Sequence, residues 1–260
     1  MDRSLVLSMN NLTKRFGGLC AVNCFDGSLN ANQIKGIIGP NGAGKTTILN
    51  MISGIYPPTD GQIIFKDKDI TNLEPHKINH LGIARTFQNI RLFQNMTVLQ
   101  TVKTAYSWRA PYTVFETMLS LPRVKKHENE IEEKSMHFLK MVNLEEYAST
   151  NAQSLPYGLQ RRVEIARALA SEPSVLLLDE PGAGLNQNEV FDLVDLVRKL
   201  FTDLSLSILL IDHRMDVIMQ LCEWIYVQDF GECIAQGTPD QIQHDPIVIK
   251  AYLGEEINNA

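Results

Sequence analysis

The chain lacks any excess of positive charge: 24 Lys and Arg stand against 30 Asp and Glu, a formal net charge of −6. A broad nucleic-acid-binding face needs many cations, so nucleic acid is a poor candidate partner and any phosphate-binding site must be local. Cysteine is scarce, at positions 20, 24, 222 and 233, with no C-x-x-C pair and no zinc spacing. These residues read as reduced cytosolic thiols, with Cys20 and Cys24 close enough to share a neighbourhood. Apolar runs fall far short of a bilayer span, and Met1-Asp2-Arg3-Ser4-Leu5 is not a signal peptide. Membrane contact is therefore expected only through a partner. Repeats and low-complexity tracts are absent. What is present is a chain of 260 residues with 44% hydrophobic content, enough to bury a substantial core as one domain.

Against that background the run Gly39-Pro40-Asn41-Gly42-Ala43-Gly44-Lys45-Thr46 fits the pattern G-x-x-x-x-G-K-[ST]. A nucleoside triphosphate presents several crowded negative charges, and binding it takes many donors with no side chains in the way. Glycines let backbone N–H groups face the phosphates, Lys45 reaches the β- and γ-phosphates, and Thr46 offers its hydroxyl to Mg²⁺. Residues 47–53, beginning with Thr47, read as a helix whose N-terminus adds positive partial charge beside the anion. Upstream, Ile34–Ile38 is an apolar, β-branched run that suits a buried strand.

A second element is Val175-Leu176-Leu177-Leu178-Asp179-Glu180. Large apolar residues ending in two carboxylates describe a central strand of a parallel sheet whose C-terminal tip opens onto a site. Asp179 is placed to hold the hydration shell of Mg²⁺. Glu180 is expected to point the other way along the strand and to polarise an attacking water as general base.

Between these two lies Leu155-Pro156-Tyr157-Gly158-Leu159-Gln160-Arg161-Arg162, followed by a helical run in which Leu159, Val163, Ala166 and Ala170 share one face. Gly158 sits at the helix start, where free N–H groups can bind a phosphate. This segment resembles the signature loop of ABC-type ATPases. The resemblance then assigns further positions. Gln88 in Arg85-Thr86-Phe87-Gln88 matches the Q-loop glutamine that touches Mg²⁺ and faces the membrane subunit. Gly184, Leu185 and Asn186 match the D-loop, and His213 matches the switch histidine that contacts the γ-phosphate. Phe16 matches the aromatic that stacks on adenine, and Val22 joins the nucleotide-binding set. The implied catalytic residues are Glu180, His213, Lys45 and Gln88; the implied metal residues are Thr46, Gln88 and Asp179. Residues 39–50, 83–93, Met96-Thr97-Val98, Gly184-Leu185-Asn186 and the ending 249–254 are similar to one subfamily, the ATP-binding subunits of branched-chain amino acid importers with the longer helical insertion. Relatives of that subfamily serve urea and other small polar solutes.

The expected architecture is α/β, a P-loop ABC ATPase fold with a mixed β-sheet core, an antiparallel β subdomain and an inserted α-helical subdomain. Residues 1–88 and 159–254 are expected to form the nucleotide-binding core, 89–158 the helical subdomain ending in the signature loop, and 255–260 a tail. Strands are expected at 5–9, 34–38, 62–65, 175–178 and 207–211, with a hairpin of 224–228 and 232–236 joined through Asp229-Phe230-Gly231. Helices are expected at 74–82, with Pro75 in the first turn, and around the stripe Val190, Leu193, Val194, Val197, Leu200 and Phe201. In the helical stretch, Ile131, Phe138, Leu139 and Val142 form an apolar stripe, 125–134 reads as a solvated charged face, and 108–112 as a loop or helix turn.

The resemblance further implies ATP and Mg²⁺ as cofactors. It implies a head-to-tail pair in which each ATP lies between one chain's Lys45 loop and the other chain's Leu155-Pro156-Tyr157-Gly158. Implied partners are a second ABC ATPase subunit, identical or not, two transmembrane permease subunits and, indirectly, a periplasmic or extracellular solute-binding protein. That places the chain at the cytoplasmic side of the inner or plasma membrane. Two positions depart from the wider family: Pro156 replaces a serine and Asn186 an aspartate. Both fit a subunit that pairs with a different ATP-binding protein. Other readings are a related importer of urea or another small polar solute, a lipid exporter, an ABC-type regulator that does not hydrolyse ATP, and an ABC ATPase of DNA or ribosomes. The regulator is opposed by Lys45, Asp179, Glu180 and His213, and the last by the absence of a second ATPase half or long coiled coil.

Overall fold

The computed structural model describes residues 4–106 and 122–258, the last six of these by backbone alone; the stretch 108–112 lies outside the described residues. The strands are β1 (Leu5–Phe16), β2 (Leu19–Asn30), β3 (Ile34–Ile38), β4 (Asp60–Phe65), β5 (Lys68–Asp69), β6 (Ile83–Arg85), β7 (Val175–Asp179), β8 (Ser207–Ile211), β9 (Trp224–Asp229) and β10 (Glu232–Gly237). The helices are α1 (Lys45–Ile52), α2 (Pro75–Leu81), α3 (Val98–Tyr106), α4 (Pro122–Met141), α5 (Tyr157–Leu169), α6 (Gln187–Leu204), α7 (Met215–Leu221), α8 (Pro239–Gln243) and α9 (Pro246–Asn258). The chain divides into two compact units, Met1–Gln88 with Ser174–Ala260, and Asn89–Pro173.

The first unit holds both sheets. One is antiparallel, in the order β2-β1-β4-β5; the other is mixed, in the order β10-β9-β3-β8-β7-β6. β3, β7 and β8 are buried at every position, which is why they read as unbroken apolar runs rather than alternating ones. The β9–β10 hairpin closes on Phe230 and Gly231, both with positive φ, the two-residue turn whose twist matches paired strands. A single apolar cluster joins the sheets through α1, with Leu12, Phe25, Ile48, Leu49 and Leu209 wholly buried. On α6 the expected stripe is buried from Val190 to Leu200, while Phe201 is half-buried. β2 escapes the sequence reading for a physical reason. Bulges interrupt its register with β1, and Asn11 and Cys24 take positive φ, so its apolar residues do not alternate.

In the second unit α3 packs on α4 and α5. Ile131, Phe138, Leu139 and Val142 are buried, and Lys103 Nζ lies 3.5 and 3.3 Å from Glu128 and Glu132. α5 belongs to this unit, so the boundary expected at residue 158 falls instead at 173. The helix packs on α3 and carries a buried ion pair whose acid also bonds the Arg91 amide. Arg161 Nη1 donates to Glu164 Oε2 at 3.0 Å with both side chains fully buried, and Glu164 Oε1 accepts from the Arg91 amide at 2.9 Å. Burial pushes the Glu164 carboxyl up and the Arg167 guanidinium down; the adjacent charges and hydrogen bonds oppose part of the Glu164 shift.

Candidate nucleotide-binding and catalytic site

β3, β8, β7 and β6 run parallel, and the loops leaving their C-terminal ends carry the candidate residues. After β3, Gly39 takes φ 145° and Gly44 φ 101°. A Cβ at Gly39 would lie 1.8 Å from the Gln228 carbonyl oxygen, and one at Gly44 would lie 2.3 Å from that of Ala21. The loop is thus pressed onto the backbones of β9 and β2, and only glycine fits at either contact. Lys45, the first residue of α1, is 5% exposed and donates from Nζ to the carbonyl oxygens of Gly39 and Pro40, 2.7 Å each. A cavity of about 240 Å³ is lined by residues 41–47 together with Ala21, Gln88 and Glu180. A larger hollow of about 500 Å³ also touches Pro40–Ala43, but its other walls are the β9–β10 turn and α9. The smaller one is the candidate site, because it gathers Lys45, Thr46, Gln88 and Glu180.

Gln88, beyond β6, donates from Nε2 to Glu180 Oε2 at 2.8 Å, and His213 Nδ1 lies 3.6 Å from the same oxygen. Glu180 lies just past the end of β7 and does not extend the strand. Its φ is +46°, and its carbonyl accepts from the Ala183 amide, so the chain turns there. The Glu180 amide still donates to the Ile211 carbonyl at 2.7 Å, which holds the turn to the tip of β8.

Asp179 does not line the cavity. Its side chain is 2% exposed, and its Oδ2 accepts from Arg85 Nη2 at 2.6 Å. Its Oδ1 is buried with no hydrogen-bond partner. A carboxylate with one oxygen clamped and one left over suits the hydration shell of a divalent cation. Among the described residues no three His, Cys, Asp or Glu are grouped to hold a metal. A lone unpartnered carboxylate oxygen fits the way Mg²⁺ is held, by one or two carboxylates with phosphate and water completing its shell.

The remaining expected residues fall as follows. Phe16 is half-exposed at the end of β1. Val22 is wholly buried; it supports the loop at Gly44 from beneath, 3.2 Å from where a Cβ would stand, and does not face the cavity. Pro156 is the N-cap of α5, so Tyr157 and Gly158 occupy the first helical turn; Leu155 is buried and its carbonyl accepts from Gln160 Nε2 at 2.8 Å. Gly184 has φ +76°, Leu185 is buried, and Asn186 caps α6: its side chain accepts from the Glu189 amide at 3.1 Å while Glu189 Oε2 accepts from the Asn186 amide at 2.9 Å. Asp212 has no counterpart in the sequence reading, although it directly follows an apolar strand much as Asp179 ends one. Fully buried, it accepts from the Gly182 amide at 3.0 Å and the Arg214 amide at 2.9 Å, and burial pushes its carboxyl up. Arg214 in turn donates to the Leu185 carbonyl at 3.2 Å and to Gln187 Oε1 at 2.9 Å.

Comparison with known proteins agrees with this geometry. Residues 22–183 match the family model described as ABC transporter, and residues 232–258 match that described as branched-chain amino acid ATP-binding cassette transporter. The high-affinity branched-chain amino acid transport ATP-binding protein BraF of Pseudomonas aeruginosa is 43% identical over 96% of this chain and 98% of its own length. LivG of Escherichia coli K12, of the same description, is 42% identical over the same shares. A crystal structure of an ATP-binding cassette of an ABC transporter, in its ADP conformation, superposes with a TM-score of 0.83 at 32% identity, covering 96% of this chain and 99% of that one. The chain belongs to the ABC transporter ATP-binding family. It binds and hydrolyses ATP.

Proposed function

We propose that this ATPase subunit powers the import of branched-chain amino acids. The observation that carries the substrate class is end-to-end likeness to BraF and LivG, joined to the match of residues 232–258 to the branched-chain family model. The subunit works with membrane-embedded permeases. Among the described residues no helix is long and apolar enough to cross a membrane, so the proposal places the membrane path in two permease subunits. A second ATP-binding subunit completes the pair, and a solute-binding protein delivers the amino acid from outside, which puts this chain on the cytoplasmic side.

In this reading the amides of residues 39–46 and Lys45 hold the triphosphate, with Phe16 against the base. Thr46, Gln88 and Asp179 hold Mg²⁺, which when bound neutralises phosphate charge and orients the γ-phosphoryl group. Glu180 accepts a proton from the attacking water, Gln88 and His213 hold that carboxylate and the departing phosphate, and catalysis is otherwise positioning. Leu155 to Gly158 complete the nucleotide site of the opposed subunit. Pro156 offers no hydroxyl there, a loss of about 1.5–3 kcal/mol for one hydrogen bond to a charged group, so the two composite sites need not be equivalent when the second subunit is a different ATP-binding protein.

The test is uptake into vesicles reconstituted with the permeases, both ATPase subunits and the binding protein. Labelled leucine, isoleucine or valine should accumulate with ATP inside the compartment that holds this subunit, and Glu180→Gln should stop it. Uptake of urea but of none of the three amino acids would overturn the substrate class.

A further inference from the structure

The aromatic ring at the end of β1 and the carboxylate at the end of β7 are joined by an unbroken set of contacts. Phe16 meets Tyr56 edge to face, with ring centroids 5.3 Å apart and planes at 90°. Tyr56 Oη accepts a hydrogen bond from Asn50 Nδ2 at 2.9 Å. The Oδ1 of the same amide accepts from Arg85 Nη1 at 2.8 Å, and Arg85 Nη1 also reaches Ser53 Oγ at 2.8 Å. Arg85 Nη2 then donates to Asp179 Oδ2 at 2.6 Å.

The sense of each link is dictated by chemistry. A guanidinium only donates, so Asn50 must turn its oxygen to Arg85, and its NH₂ is then left for the tyrosine oxygen. Asn50 lies in the last turn of α1 and Ser53 is its C-cap, where the helix dipole also favours a cation. Arg85 and Asp179 are 5% and 2% exposed, so little water competes for these bonds. One planar group thus serves Asn50, Ser53 and Asp179 at once, which a lysine ammonium on a flexible stem cannot reproduce in the same geometry. The clamp occupies Oδ2 and leaves Oδ1 as the unpartnered oxygen of Asp179.

We propose that Arg85 is the positioning residue for Asp179, and that Asn50 and Tyr56 tie it to Phe16, so that seating a purine on Phe16 and setting the metal-binding carboxylate are coupled. This rests on the reading of Phe16 as the base contact and Asp179 as the metal residue. A salt bridge that only satisfied buried charge would leave metal affinity indifferent to the base.

The experiment titrates Mn²⁺, followed by electron paramagnetic resonance, into the protein with ATP and with inorganic tripolyphosphate, which carries the phosphates without the base. Protein-free titrations correct for each ligand's own affinity. With the native protein, Mn²⁺ should bind tighter beside ATP than beside tripolyphosphate. Asn50→Ala and Tyr56→Phe, which alter neither the base-stacking ring of Phe16 nor Asp179, should shrink that advantage severalfold. Arg85→Lys should weaken Mn²⁺ about tenfold or more with either ligand, as loss of a group that orients a metal residue does, and Arg85→Ala further still. A native advantage in both Asn50→Ala and Tyr56→Phe, or native Mn²⁺ affinity in Arg85→Lys, overturns the proposal. Should the Arg85 variants not fold, the two milder ones decide it. Asp179→Asn separates the two layers: unchanged Mn²⁺ affinity there defeats the metal reading itself, whereas weakened affinity with an indifferent Arg85→Lys defeats only the coupling.

Discussion

Gln88 and Glu180 meet across a 2.8 Å hydrogen bond, the amide donating to a carboxylate oxygen that His213 Nδ1 also approaches at 3.6 Å. They stand 92 positions apart in the chain, and it is the pairing of β6 with β7 that brings them side by side. Glu180 so held is aimed without being consumed, since a carboxylate has further lone pairs for a water. Glu180→Gln is therefore expected to slow phosphate release by about 10²–10⁴-fold, the worth of a positioned general base. Nucleotide affinity, measured by equilibrium dialysis, should stay within a few-fold of native. A variant hydrolysing at the native rate would remove Glu180 from the reaction.

Gly44→Ala tests the loop against the strand beneath it. The added methyl would meet the Ala21 carbonyl oxygen at 2.3 Å in a backbone conformation with φ 101° that alanine rarely adopts. The expected result is a loss of at least tenfold in ATP affinity by calorimetry, with a lowered melting temperature. Gly42→Ala shares the positive φ but meets nothing within 4 Å, so it should cost less on both readings. Equal damage at the two positions would show that conformation alone, rather than the close approach, sets the requirement.

Much of this was legible before the structure. β3 and β8 have the bounds their apolar runs indicated, because a strand buried on both faces advertises itself by composition alone. The phosphate loop was legible because its function demands glycine where a side chain would collide. Arg85 and Asp212 were not, since a buried cation or acid is signalled by its partner, and Asp179 lies 94 positions from Arg85 and the Gly182 amide 30 positions from Asp212. Glu180 was legible as a site residue, but the turn at it was not: a run of apolar residues says where a strand lies, not at which residue it turns. The extent of the second unit was not legible either. Arg161 and Glu164 look like surface charges in the sequence and are instead the fully buried pair of α5.

That pair predicts a pH-dependent defect. Burial, the largest influence, already holds the Glu164 carboxyl above its ordinary value, and Arg161 is among the groups that oppose the rise. Arg161→Met removes part of that opposition and leaves Glu164 with Arg167 at 3.5 Å and the Arg91 amide at 2.9 Å, so it should destabilise the fold near neutral pH by up to about 3 kcal/mol, the lower end for breaking a buried pair. A folded-state pKa above the unfolded one means that the native form holds the proton more tightly. The associated stabilisation is whole below the unfolded value of about 4.3 and is lost as pH rises through the folded value. Urea denaturation at a series of pH values should therefore show Arg161→Met closest to native in acid and falling away as pH is raised. A constant difference across pH would mean that lost packing, not the weakened pairing of Glu164, causes the defect.

Asn186 gives a milder prediction. Its side chain and Glu189 cap α6 reciprocally, so Asn186→Ala should cost about 1 kcal/mol of stability. Asn186→Asp keeps the acceptor and adds negative charge at a helix N-terminus, worth about 0.3–1 kcal/mol in the other direction. Chemical denaturation of the two variants checks the sign of each. An Asp variant no more stable than the Ala variant would mean that the capping contact contributes nothing.

Asp212 grips the Gly182 amide with one oxygen and the Arg214 amide with the other, and Arg214 reaches back to Leu185. The segment after β7 and the segment after β8 are thereby stitched at a single buried anion. Neither can slide alone: tugging on one shortens or stretches bonds in the other. His213 sits inside that stitch, between Asp212 and Arg214, so its imidazole travels with whatever moves the turn before α6.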